Sequence, residues 1–246
     1  MRRRLLCLLM LCGLLSGCGN ASGNAPAVTT EQIVPEQASQ SPVSGTMSYS
    51  FGNTIKYTRM CDYYIDSAQD IQVFVDYPEY FQSDGNDIAE LIRLAAYNGW
   101  TIEDLAATPN TNMTIDYEIT RADAQYFSVA FLSFYFSRGN AHPSSEEYAV
   151  TIDRATGSPV LLSDILDFSD SNELAELISE EFTPLGGWVD LPALDELAAC
   201  YIDNLLFDEQ HSFYLTDDSL CLIIHYFRYD FVLEAPLSSL PLKHPF

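Results

Sequence analysis

Apolar and polar positions alternate, then switch to helical spacing, several times along the chain from residue 70 onward. Asp70-Ile71-Gln72-Val73-Phe74-Val75-Asp76-Tyr77-Pro78 alternates up to its proline and predicts a half-buried strand. Ile88 to Tyr97 carries apolar residues at helical spacing behind Gly85-Asn86-Asp87, and Asn98-Gly99 stops the helix. Met113 to Thr120 alternates again. Phe127 to Phe136 predicts a longer strand, apolar enough to be central in a sheet, and Glu147 to Asp153 another, closed by the turn Ala155-Thr156-Gly157-Ser158-Pro159.

The second half is richer in helix. Ser163-Asp164 predicts the start of a short helix, and Asp170 with Glu173 has capping-box spacing for a helix over 172–182. Behind Pro192, residues Leu194, Leu197, Ala198, Tyr201, Ile202 and Leu205 line one helical face. Phe213-Tyr214-Leu215, the turn Thr216-Asp217-Asp218-Ser219, and Leu220 to Phe227 predict a closing hairpin. There is no internal repeat. Strands and helices mix without strict βαβ alternation, which predicts an α+β fold with a mainly antiparallel sheet and a few helices packed on it.

The amino terminus has a different character. Met1-Arg2-Arg3-Arg4 is a positive cluster, and Leu5 to Leu15 is an apolar run of the length of an export signal, well short of the roughly twenty residues of a bilayer span. Leu15-Ser16-Gly17-Cys18 looks like a bacterial lipobox, which implies cleavage before Cys18 and acylation of its thiol, with palmitate-like chains as the membrane anchor. Residues 19–46 contain no aromatic side chain and are dominated by Ser, Thr, Ala, Pro, Gln and Asn, a composition expected of a disordered tether. The expected organisation is therefore a signal peptide over 1–17, a lipidated Cys18 with tether over 18–46, and one domain over 47–246.

Charge narrows the partners. The chain holds 35 acidic and 11 basic residues, and loss of Arg2, Arg3 and Arg4 with the signal leaves 8 basic residues and a net charge near −27. Nucleic-acid binding needs Lys and Arg against phosphate, so that class is excluded, and anionic lipid heads are disfavoured by the same repulsion. A cationic partner would be steered in, although acidity also serves solubility alone. Cys61, Cys200 and Cys221 remain after processing, three without CxxC spacing, either core thiols or one bridge and one thiol.

The segment Phe131-Leu132-Ser133-Phe134-Tyr135-Phe136 and the loop Gly139-Asn140-Ala141-His142-Pro143 resemble the "lSf.f … GGAHP" signature of an extracytoplasmic bacterial domain family. The anti-sigma factor RsiV and the peptidoglycan deacetylase PdaC share this family, known as domains of unknown function 3298 and 4163. Tyr148 to Gly157, Leu161 to Leu166, Ile71 to Pro78 with Ile88 to Asn98, and Phe213 to Tyr229 are similar to its flanking blocks. Asn140 replaces the family's second glycine. Tyr229 to Pro236 departs from its final segment, so that end of the sheet is expected to differ. The resemblance implies an RsiV/PdaC-like α+β domain and a cell-envelope ligand, either a cationic lysozyme-like protein or a peptidoglycan fragment. Sigma-factor binding and deacetylation do not transfer, because the segments that carry them have no counterpart here.

Candidate chemistry is sparse. His142 invites a catalytic reading, but no Ser or Cys nucleophile with a held carboxylate is marked, and a histidine that bonds backbone to fix the strand connection is the favoured reading. Glu146-Glu147 and Asp217-Asp218 are expected to be solvated. Asp167, Asp170 and Glu173 miss the EF-hand spacing and its glycine. The expectation is a non-catalytic binding protein on the outer face of a membrane, with no cofactor and no metal. An enzyme acting on cell-wall glycan, or a structural lipoprotein of a membrane complex, are the alternatives.

Overall fold

Leu220-Cys221-Leu222-Ile223-Ile224 is apolar at five successive positions, a run that suits a strand covered on both faces. A computed structural model, which describes residues 36–38, 49–51, 55–80, 88–139, 141–186, 191–205, 211–227 and 229–244, shows what covers it. The first half of the chain forms β1 (Glu36–Ala38), β2 (Tyr49–Phe51), β3 (Ile55–Asp66), β4 (Ile71–Glu79), α1 (Ala89–Ala96), α2 (Ile102–Leu105), β5 (Thr111–Ala122) and β6 (Tyr126–Ser137). The second half forms β7 (Ser144–Asp153), β8 (Ser158–Pro159), α3 (Leu162–Ile165), α4 (Ser171–Glu181), β9 (Thr183–Pro184), α5 (Leu194–Leu205), β10 (Phe213–Leu215), β11 (Ser219–Tyr226) and β12 (Tyr229–Pro236).

Two sheets result where the sequence predicts one. The larger runs β1-β3-β4-β5-β6-β7-β8 with β2 paired to β3, antiparallel except for β4 against β5. The smaller runs β10-β11-β12-β9 and is antiparallel throughout. The α+β class with mainly antiparallel pairing is thus the observed one.

Period-two alternation sorts the side chains into layers. On one face of the larger sheet, Val73, Val75, Ile115, Phe127, Val129, Phe131, Tyr148 and Ile152 pack against Ile88, Ile92 and Ala96 of the α1 region. The buried Tyr148 hydroxyl donates to Ala96 O at 2.7 Å and ties sheet to helix. In the smaller sheet, Leu220, Leu222, Ile224, Leu233 and Ala235 face α3, α4 and α5, whereas Cys221, Ile223, Tyr214 and Val232 face Ala149 and Ala130 of the larger sheet. That double covering explains the unbroken apolar run.

The joint between the sheets is polar at its centre. Ser128 Oγ lies 2.8 Å from Thr151 Oγ1 and accepts from the Leu215 N–H at 3.0 Å, all three residues being fully buried. A bulge between Ile119 and Arg121 brings Arg121 opposite Ser128, and its guanidinium donates to Thr216 O at 3.0 Å. Beyond β8, the outer edge of β7 is closed by donation from Ala149 N–H to His211 O (3.1 Å) and from Glu147 N–H to Asp230 Oδ2 (2.7 Å).

Several local expectations shift. Asp70 sits at φ +56° in the β3–β4 turn, so the strand begins at Ile71. Asn98 (φ +47°) and Gly99 (φ +79°) do end the first helix, in the left-handed conformation such a stop requires. Asp170 caps α4 by accepting from the N–H groups of Asn172 and Glu173, but Glu173 reaches Ser169 rather than completing a box on Asp170. Residues Glu36–Ala38, within the stretch expected to be tether, pair with β3. The divergent segment over 229–236 pairs with β11 residue for residue.

Candidate functional site

The smaller sheet covers only part of the larger sheet's second face. Its contact reaches Ala130 on β6 and Ala149 on β7. Further along β6 the side chains on the same face are Leu132, Phe134 and Phe136, exposed by 51%, 46% and 40%. Registry extends this strip across the sheet. Phe134 lies opposite Thr114, Thr114 opposite Phe74, and Phe74 opposite Tyr63, whose ring stacks on Phe74 at 6.4 Å. Phe136, Asn112, Gln72 and Ile65 form the neighbouring row. Large apolar groups left in water together on one open face mark a contact surface more often than a flaw in packing.

Acidic residues border the strip. Asp116 lies opposite Leu132 on β5, Glu147 opposite Leu132 on β7, and Glu118 opposite Ala130. Asp76 and Asp116 also share Arg59, which bonds Asp76 closely and stands 3.6 Å from Asp116. Glu147 is the unusual member. Loss of hydration pushes its carboxyl up to about 7, Asp230 and Glu118 add to that push, and His225 opposes it. His225 Nδ1 is 2.8 Å from Asp230 Oδ1, and the other oxygen of Asp230 holds the Glu147 N–H. The surface therefore offers hydrocarbon flanked by carboxylates, an arrangement that complements an apolar patch carrying basic side chains.

The residues singled out in the sequence fall elsewhere. Gly139, Ala141, His142 and Pro143 are exposed in the β6–β7 connection, and the side chain of Asn140 lies outside the described residues. His142 makes no hydrogen bond among the described residues. The connection is instead set by backbone, with Gly139 at φ +114° and Arg138 N–H donating to Asn110 O at 2.9 Å. Glu147 corrects the expectation that the acidic pair is solvated; Glu146 is exposed as expected. Asp170 and Glu173 are engaged at the start of α4, and the described residues hold no group of three or more side chains suited to a metal.

Cys61, Cys200 and Cys221 are thiols; Cys221 is buried between the sheets, and burial beside Asp76 pushes Cys61 up to about 12. Cys18, the signal and most of the tether lie outside the described residues. Among those described, no helix is long and apolar enough to cross a membrane.

No protein-family profile matches the chain. No curated relative matches it either. Among solved structures it is similar to a protein of the DUF3298 family from Pseudomonas aeruginosa PAO1, with 15% identity, a TM-score of 0.48, and coverage of 78% of this chain and 95% of that one. It is also similar to a DUF3298 family member from Bacteroides fragilis NCTC 9343, with 10% identity, a TM-score of 0.49, and coverage of 78% and 94%.

Proposed function

We propose that this chain is a lipid-anchored, non-catalytic binding protein on the outer face of a bacterial membrane, and that its domain captures a cationic protein of the lysozyme type. One observation carries the reading: the open apolar strip of Leu132, Phe134, Phe136, Phe74 and Tyr63 is bordered by Asp116, Glu118 and Glu147. Burying aromatic rings supplies affinity at about 25 cal/mol per Å² of apolar surface, less the cost of association. The acidic border and the strongly negative chain supply steering and orientation. The lipobox over 15–18 supports the anchor, because an acylated Cys18 would hold the domain where such proteins diffuse past.

Titration of the purified protein with lysozyme at two salt concentrations tests the partner. Affinity is expected to fall at least tenfold between about 0.03 M and 0.3 M salt, because screening over this range shortens the reach of exposed charges. Absence of a complex at the lower salt refutes it. A complex with soluble peptidoglycan fragments that ignores salt moves the reading to glycan. The anchor is tested separately by fatty-acid labelling, which Cys18→Ser should abolish.

A further inference from the structure

The β11–β12 hairpin ends in a tip that packing does not account for. Tyr226 pairs with Tyr229, so positions 227 and 228 make a two-residue turn. Such turns need left-handed backbone and favour Asn or Gly, yet Phe227 sits at φ +55°. Its ring recovers little from the fold, being 92% exposed, and Tyr229 beside it is 64% exposed. The base of the tip is fixed. The Tyr226 ring meets Phe227 edge-on at 4.7 Å and Phe231 at 6.1 Å, and its hydroxyl donates to Glu196 of α5. His225 O accepts from the Cys200 thiol at 3.3 Å and from Asn204 Nδ2 at 3.2 Å, both also on α5. A braced hairpin thus holds a strained turn and water-exposed aromatic rings at its outermost point, an arrangement that internal packing does not offset.

The end of the larger sheet beside this tip also receives the chain from its amino terminus. Asp230 holds the Glu147 N–H while Val232 packs on Ala149, so the tip lies toward Ser144, where β7 begins. Registry carries that end across the sheet. Ser144 lies opposite Tyr135 near the end of β6, Ser137 opposite Thr111, Asn112 opposite Gln72, and Gln72 opposite Ile65. Glu36, the first residue of β1, stands opposite Ile65. The seventeen residues 19–35 that separate it from Cys18 span at most about 60 Å, and a flexible linker of that length averages about 23 Å. An acylated Cys18 would therefore keep this end of the domain close to lipid. With a net charge near −27 the body is repelled by anionic head groups, whereas aromatic rings enter the interface by burying hydrocarbon and need no cation.

We propose that Phe227 and Tyr229 form a membrane-contact tip: with Cys18 acylated, the two rings lodge among the lipid head groups and fix the orientation of the domain on the bilayer. This rests on the lipid-anchor reading and adds the surface that meets the lipid. Two rings are too few to hold a free domain on a bilayer, but the anchor brings the tip within reach, so they act as a second, orienting contact. The strip of Leu132, Phe134 and Phe136 lies on the face of the sheet rather than at its end, and stays open to a partner.

Fluorescence quenching tests this on the acylated protein in phosphatidylcholine vesicles, with and without lipid brominated near the top of its acyl chains. Phe227→Trp and, separately, Tyr229→Trp place a reporter in the tip, so that either decides if the other folds poorly. Asp217→Trp places one in the turn at the opposite end of β11, and wild type supplies the background of Trp100 and Trp188. Brominated lipid is expected to dim the added emission at 227 or 229 by about half and to change that at 217 by no more than about a tenth, since only the tip reaches the boundary of head groups and acyl chains. Anchored protein with neither tip position quenched, or with 217 quenched as strongly, overturns the inference and leaves the anchor standing. A tip reporter that lipid leaves unchanged and lysozyme shields assigns the rings to the protein partner and overturns it too. Failure of wild type to join the vesicles at all overturns both readings.

Discussion

Ser128→Ala should be among the costliest single-atom deletions in this domain, although serine to alanine is a mild change elsewhere. The hydroxyl sits in the dry joint between the sheets, where it accepts from the Leu215 N–H at 3.0 Å and shares a 2.8 Å bond with Thr151. Ser128, Thr151 and Leu215 expose nothing to water. Alanine strands one backbone donor and one hydroxyl, and a buried group left without its partner costs about 1–3 kcal/mol. The methyl left behind nearly fills the site, so the cavity contribution is small and the total is about 2–4 kcal/mol. Against a typical domain stability of about 5–15 kcal/mol, that is a large share. Urea unfolding followed by far-ultraviolet circular dichroism measures it, with the slope m required to stay constant so that the midpoint reports stability. Thr151→Val should cost less, about 1 kcal/mol, because Ser128 can still accept from Leu215. The double variant should lose less than the sum of the two, since they share one bond. A loss below about 0.5 kcal/mol for Ser128→Ala would refute the account of the joint.

Asp170→Ala removes the acceptor for two N–H groups at the start of α4 and should cost about 1 kcal/mol in thermal or chemical unfolding; an unchanged midpoint would show the cap to be idle. Glu147 has a folded-state midpoint near 7 against an ordinary 4.5, so the folded chain holds the extra proton between these values and its stability falls as pH rises through that window. Glu147→Gln should therefore gain on wild type by up to about 3 kcal/mol from pH 4.5 to 8, and a difference that stays flat would reject the shift. Phe134→Ser should leave stability within about 0.5 kcal/mol, because the ring is already in water, while weakening lysozyme binding about tenfold; a protein that unfolds instead would show the strip to be core. His142→Ala should change stability by no more than about 0.5 kcal/mol, as measured by its melting midpoint, given an imidazole that is exposed in the β6–β7 connection.

Periodicity exposes what local packing dictates and hides what a distant segment dictates. Strands β4 to β7 and helices α1, α4 and α5 are legible because one face of each meets a core and the other meets something different, and alternation or helical spacing records that. β3 is not: Arg-Met-Cys-Asp-Tyr-Tyr puts aromatic and charged groups side by side, since Tyr63 lies on the open face with Phe74 while Asp62 points toward α1 and accepts from the Tyr97 hydroxyl at 2.7 Å. The docking strip is hidden in another way. Phe127 to Phe136 reads as largely apolar, yet the residues on its second face grade from Ser128 and Ala130, small where the smaller sheet packs, to Leu132, Phe134 and Phe136, large and exposed among the described residues. That gradient is written in the chain, but it means nothing until the smaller sheet is known to stop at Ala130 and Ala149. Glu146 and Glu147 are likewise twins in sequence. Burial at the margin of the smaller sheet, with an aspartate from β12, 83 residues away, and Glu118 adding to it, separates an exposed acid from one whose carboxyl is pushed up to about 7, and no local pattern marks that difference.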